Sequence, residues 1–149
     1  MKLMLVCTSG GHFSTMRGLK SFWSKHSRLW VTDKKSDTQW LEDRENVVWT
    51  PYQGPRDWMA FLRSFPNTLK VLRDHRPDMV ISTGASIAVN FAIVARLLGI
   101  RFIYIESISR SNALSLSGRM VYFLASEFYV QWPGLCERYK RATFRGVVL

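Results

Sequence analysis

Two short loops of small residues stand out for the chemistry they could support: Thr8-Ser9-Gly10-Gly11-His12 and Ser82-Thr83-Gly84-Ala85-Ser86. Each follows an apolar run and leads into a helical one. Glycine lets a backbone come close to a ligand, and the N–H groups at a helix start, with the positive end of its dipole, suit a phosphate or diphosphate. A plain strand-to-helix turn would use the same glycines. His12 begins its helix, and three chemistries are open to it there: general base, donor of a ring N–H to a phosphate oxygen, or helix cap. Glu106 closes a later apolar run and so meets the same rim, where a carboxylate can accept from a sugar hydroxyl, act as a base, or pair with Arg110. His26 and His75 sit beside basic neighbours and read as surface residues, and Asn90 reads as a satisfied polar group of the core.

Fixed nucleotide motifs do not fit. A dinucleotide loop would need glycine where His12 and Thr15 stand, and a P-loop would need Gly-Lys-Ser/Thr, which the chain lacks. The hydroxyl-rich run from Thr8 to Thr15 keeps a flavodoxin-like module in view, although strong basicity weighs against it.

The elements that must position these loops alternate along the chain. Leu3 to Cys7 is a continuous apolar run, the pattern of a strand buried on both faces of a parallel sheet. Helical spacing from Phe13 to Trp23 follows, then a strand at Leu29 to Thr32, a weak helix over Ser36 to Glu42, and a strand at Asn46 to Thr50. Trp58 to His75 reads as an amphipathic helix, capped by Asp57 and kinked or divided at Pro66. Met79 to Ile81 is a fourth strand, Ile87 to Leu98 a buried helix ended by Gly99, and Phe102 to Ile105 a fifth strand. A polar loop runs from Ser107 to Ser117. A helix over Leu116 to Ala125, a strand at Phe128 to Val130, a basic helix from Pro133 to Lys140 and a last strand within Phe144 to Leu149 complete the pattern. The alternation predicts a single Rossmann-like α/β domain over residues 1–149, with an open, mostly parallel sheet and helices on both faces. In such a sheet the first and fourth strands flank the point where strand order reverses, so the two small-residue loops should meet there.

Composition narrows the class. The chain has 149 residues, 47% of them hydrophobic and 21% charged, which is the make-up of a folded domain and not of a disordered polycation. A formal net charge of +10 points to an anionic partner: membrane, phosphate or nucleic acid. Cys7 and Cys136 are too few for a disulfide framework or a zinc site. The longest apolar stretch, Ala85 to Ile100, is interrupted by Asn90 and Arg96 and falls short of the ~18–20 residues of a membrane span. Trp23, Trp30 and Tyr139 with the basic excess would suit a nucleic-acid binder, but no base-stacking motif accompanies them, and nucleic acid is not the expected partner.

Taken together, Gly10-Gly11-His12 after the first strand, Ile81 to Ser86, Tyr104-Ile105-Glu106-Ser107, Leu116-Ser117-Gly118-Arg119 and Phe128-Tyr129-Val130-Gln131-Trp132-Pro133 resemble the asparagine-linked-glycosylation-fourteen-like family. Its members include accessory subunits of bacterial capsule and exopolysaccharide glycosyltransferases. The same order of features is similar to the amino-terminal half of the peptidoglycan enzyme that adds N-acetylglucosamine to a polyprenyl-diphosphate sugar. The resemblance implies the N-terminal, acceptor-binding half of a split GT-B glycosyltransferase that is inverting and metal-independent. A separate donor-binding subunit would hold the UDP-sugar, making a heterodimer with no cofactor. It further implies that Ser9, Gly10, Gly11 and His12 contact the diphosphate of a polyprenyl-diphosphate-linked acceptor. Thr83, Gly84, Ala85 and Ser86 would line the same cleft, and His12 or Glu106 would supply the catalytic base.

The chain starts directly at its first strand, so the expected attachment is peripheral, at the cytoplasmic face of an anionic membrane. The helix from Trp58 offers Trp58, Phe61, Leu62 and Phe65 beside Arg56, Arg63 and Lys70 for that contact, although one periodic stripe serves a core equally well. A module that only recruits the donor subunit is the alternative reading.

Overall fold

The structure is a computed structural model and describes residues 1–148. Seven strands form one sheet in the order β3-β2-β1-β4-β5-β6-β7, and every pairing is parallel. In chain order the elements are β1 (Lys2–Val6), α1 (Gly11–Gly18), α2 (Lys20–Trp23), β2 (Ser27–Thr32), α3 (Leu41–Arg44), β3 (Val47–Trp49) and α4 (Trp58–His75). There follow β4 (Met79–Ser82), α5 (Ser86–Leu98), β5 (Arg101–Ile105), α6 (Leu116–Val121), β6 (Glu127–Val130), α7 (Leu135–Arg138) and β7 (Ala142–Phe144).

The central strands carry the apolar runs because helices cover both of their faces. Met4, Val6, Val80, Phe102 and Tyr104 pack with α4, α5 and α6 in one core. Leu3, Leu5, Cys7, Ile81 and Trp30 pack with Phe13, Met16 and Trp23 in the other. Strand residues alternate between the two layers, as a period of two requires.

Several expectations need correction. The helical run from Phe13 to Trp23 is two helices, broken at Leu19, where the Trp23 indole donates to the Met16 carbonyl at 2.8 Å. The weak helix expected over Ser36 to Glu42 is displaced to α3, because Thr38 Oγ1 accepts from Lys35 N and donates to Asp33 O, which holds a turn in its place. Pro66 does not divide α4. Leu62 and Pro66 share the solvent-facing side, so the carbonyl that proline leaves without a donor lies toward water. Finally, the last strand is Ala142–Phe144; residues 145–148 leave the sheet, and Leu149 lies outside the described residues. α6 and α7 are shorter than their predicted spans.

The register sets the site. Val6 pairs with Ser82 and Ser82 with Tyr104, so the loops after β1, β4 and β5 leave the sheet side by side at its carboxyl edge.

Candidate functional site

His12 stands at this junction. Its Nδ1 lies 2.7 Å from the Thr83 carbonyl oxygen, and the Thr83 hydroxyl donates to the His12 carbonyl at 2.7 Å. This reciprocal pair ties the start of α1 to the loop after β4. A carbonyl can only accept, so Nδ1 carries a proton, and in the neutral ring Nε2 keeps the free lone pair. Gly84, at φ +123°, makes room for the ring: a Cβ there would lie 2.7 Å from His12 Cε1 and Nδ1. Ala85 follows at φ 70°, a conformation that disfavours side chains and concentrates strain at this turn.

The glycine loop is occupied differently from the sequence expectation. Ser9 N and Ser9 Oγ both donate to the Asp33 carboxylate at 2.7 Å, and Gly10 N donates to Asp37 Oδ2 at 2.7 Å. Two of the amides expected for a diphosphate therefore already serve carboxylates of the chain. The first-turn N–H groups of α1 have no partners within the helix by construction, so Gly11 and His12 keep the amides that an anion could use.

Glu106 is sealed, only 1% exposed. It accepts from Ser107 N and Ser115 N at 2.9 Å and from Ser115 Oγ at 3.0 Å, and Ser115 Oγ in turn caps α6 by accepting from Gly118 N. A Cβ on Gly118 would lie 2.1 Å from Glu106 Oε2. The carboxylate thus anchors the 107–115 loop and the start of α6. It forms no ion pair with Arg110. Burial, and then the charge of Glu106, push the Tyr104 hydroxyl well above the usual tyrosine range.

In front of these groups lies a cavity of about 830 Å³. Ser9, Gly10 and His12 line one wall, Ala85 and Ser86 another, and Ser107, Ser115 and Met120 a third. Gly11, Thr83 and Gly84 are not on its surface; the last two stand behind His12 and position it. Lys35, Arg56 and Arg110 are exposed cations on the walls, and the β3–α4 loop adds Tyr52 and Gln53. Sequence reading missed these contributions from loops without periodicity. The one available signal was the turn cluster Gln53-Gly54-Pro55 beside a basic residue.

Along α4, Trp58 and Leu62 are exposed at 52% and 62%, and Met59 joins them at 60%. Phe61 and Phe65 turn the other way, stack edge-to-face on each other with centroids 5.1 Å apart, and pack against the core. The stripe is therefore split between surface and core. Asn90 is fully buried and joins the helices by donating to the Phe61 carbonyl and Ser64 Oγ, but its Oδ1 has no partner among the described residues, so the expected satisfied polar group is satisfied only through its nitrogen.

The family described as oligosaccharide biosynthesis protein Alg14 like matches residues 56–148. The UDP-N-acetylglucosamine transferase subunit ALG14 of Yarrowia lipolytica is 30% identical over 99% of this chain and 81% of its own length. The protein of the same name in Mus musculus is 37% identical over 58% of this chain, a segment that covers 41% of the mouse protein. Among solved structures, Acinetobacter baumannii MurG shares the fold with a TM-score of 0.73 at 17% identity, over 89% of this chain and 42% of that one. The UDP-GlcNAc 2-epimerase of Methanocaldococcus jannaschii, in complex with UDP-GlcNAc and UDP, gives 0.72 at 15% identity, over 97% and 46%. At those identities the likeness is one of fold, and the chain spans less than half of either structure. The family match over residues 56–148 and the kinship with the Yarrowia protein along nearly the whole chain agree: this chain belongs to the Alg14-like family of oligosaccharide biosynthesis proteins.

Proposed function

We propose that this chain is the acceptor-binding subunit of a two-component, inverting GT-B glycosyltransferase. A separate subunit would present a UDP-sugar, UDP-N-acetylglucosamine by analogy with the named relatives. The acceptor is a polyprenyl-diphosphate-linked saccharide lying in the cavity, with its lipid directed to the cytoplasmic face of the membrane. No helix among the described residues is long and apolar enough to cross a membrane. Contact with lipid falls to Trp58, Met59 and Leu62, which surround the start of α4 beside Arg56 and Arg63.

One observation carries the chemical part of this reading: the His12 ring on the cavity wall, with its tautomer held by Thr83. Nε2 takes the proton of the acceptor hydroxyl as its oxygen attacks the anomeric carbon; the bond from that carbon to UDP breaks, and UDP leaves with the electron pair. The His12 amide, Lys35, Arg56 and Arg110 meet the diphosphate. Glu106, whose oxygens are already taken by Ser107 and Ser115, is a positioning residue in this scheme. The test is reconstitution of the purified chain with the donor subunit, a labelled UDP-sugar and a short-chain polyprenyl diphosphate acceptor. Transfer by the pair and by neither chain alone is expected, and full-rate transfer by this chain alone would overturn the split-enzyme reading. His12→Ala separates chemistry from recruitment: turnover lost with partner binding intact is expected, and turnover retained would leave a docking module.

A further inference from the structure

Asp37 places a carboxylate on the cavity wall that the proposed transfer does not use. It is exposed there, so a ligand lying in the cavity can reach it. Gly10 N donates to its Oδ2 at 2.7 Å, and its Oδ1 has no hydrogen-bond partner among the described residues. The group is held from two sides. The Trp40 indole donates to the Asp37 main-chain carbonyl at 2.9 Å, and the buried hydroxyl of Thr38, next in sequence, donates to the Asp33 carbonyl at 2.8 Å. A carboxylate carried on so fixed a turn is aimed before any ligand arrives, as a binding group must be.

Its charge is also left free. Asp37 forms no ion pair among the described residues, although Lys35, Arg56 and Arg110 line the same cavity. Lys35 turns instead to Asp33, at 3.8 Å, and to the Tyr52 ring, at 4.1 Å from its centre. Asp57, the other carboxylate on the wall, caps α4 by accepting from Ala60 N at 3.1 Å and stands beside Arg56 and Trp58. An ionised carboxylate can only accept a hydrogen bond, and it repels a second anion. The diphosphate is therefore left to the cations and the His12 amide. Asp37, bonded to Gly10 two residues before His12, suits what a neutral sugar presents: hydroxyl or amide hydrogens.

We infer that Asp37 is a specificity-determining residue: it accepts a hydrogen bond from a hydroxyl or N-acetyl N–H of the acceptor's sugar, beside the diphosphate, and so selects neutral sugars over anionic ones. The inference rests on the acceptor reading given above. A carboxylate that merely holds the Gly10 amide until a diphosphate displaces it would show the opposite response on removal, tighter binding of every diphosphate.

The experiment titrates the purified chain with three probes: one short-chain polyprenyl diphosphate carrying N-acetylglucosamine, glucuronic acid or no sugar. Wild type should bind the N-acetylglucosamine probe about tenfold more tightly than either of the others, the low end for a hydrogen bond to a charged group. Asp37→Asn keeps an oxygen for Gly10 N but turns the free atom from an acceptor into a donor. Its preference for N-acetylglucosamine should vanish, and it should bind the glucuronic acid probe at least as well. Asp37→Ala, at an exposed position outside the core, covers the case of an Asn variant that folds poorly and should bind the N-acetylglucosamine and bare probes alike. A variant that keeps the wild-type ranking would overturn the inference, as would one that binds all three probes more tightly by a common factor, or a wild type indifferent to the sugar. Binding of none of the probes by wild type would overturn the acceptor reading itself. In the reconstituted pair, an Asp37→Asn effect confined to the KM for UDP-N-acetylglucosamine would overturn the assignment to the acceptor.

Discussion

His12 fits against the sheet only because residue 84 has no side chain. The ring occupies the space of a Cβ at that position, and the backbone there is in a region that only glycine adopts without strain. Gly84→Ala should therefore push the imidazole from Thr83 and release its tautomer. Transfer by the reconstituted pair is expected to fall about 100-fold or more, the lower end of what a general base contributes, with partner binding retained in a pull-down. Gly118→Ala acts elsewhere. Its Cβ would fall on the Glu106 carboxylate, so the chain must open around a buried, hydrogen-bonded anion. A loss of about 1–3 kcal/mol in chemical denaturation is expected, the range for overpacking, and an unchanged midpoint would show that the carboxylate moves freely. These residues also mark how far chemistry was legible in the sequence. The place of His12 at the rim was legible because a strand end and a glycine pair announce themselves locally. The role of Glu106 was not, since its partner Ser115 lies nine residues away across a loop without periodicity. Asp33 and Asp37 escaped for the same reason: they reach back 24 and 27 positions to Ser9 and Gly10.

At the scale of elements, apolar runs specified the sheet well. Leu3 to Val6, Met79 to Ile81 and Phe102 to Ile105 have no polar face, so they could only be central strands, and they are. Helix lengths were less legible because their ends are settled by single hydrogen bonds, such as Trp23 to the Met16 carbonyl or Ser115 to Gly118 N. Burying β1 and β5 has a consequence for pH. Cys7 continues β1 into the core, and burial raises its thiol far above the ordinary range; burial and Glu106 raise Tyr104 on β5. Both groups stay protonated in the folded chain after the unfolded chain has lost the proton. Their contribution to stability is thus complete below the unfolded values, about 8.5 and 10, and declines as pH rises above each. Unfolding free energy should fall by up to about 1.4 kcal/mol per pH unit per group in that range. Cys7→Ala will start lower because it leaves a small cavity, but its alkaline decline should begin later, near the tyrosine range. Denaturant titrations between about pH 8 and 11 check this, and parallel curves for the two proteins would show that Cys7 does not contribute.

For the whole molecule, the sheet divides its surface in a way that tests the membrane reading. Trp58, Met59 and Leu62 project from α4 on one side of the sheet, close to the cavity mouth, where Lys35, Arg56 and Arg110 are also found. A lipid-linked diphosphate needs that proximity, since its headgroup and its chain must be met within a few ångströms. Phe22, 41% exposed, belongs to α2 in the layer on the opposite side, and so serves as the control. Burying a Leu- or Trp-sized side chain is worth about 1.5–3 kcal/mol. Trp58→Ser with Leu62→Ser should therefore weaken partition into vesicles of three parts phosphatidylcholine to one part phosphatidylglycerol by roughly 100-fold or more. Phe22→Ser should sediment with those vesicles as wild type does. Salt tells the two contributions apart. The net charge of +10 adds an attraction that 0.5 M salt screens, whereas the apolar anchor does not depend on ionic strength. Wild type should then keep a residual, salt-resistant affinity that the double variant lacks. A double variant that sediments with the vesicles as wild type does at every salt concentration would move the lipid contact off α4 and leave the cavity open to some other approach.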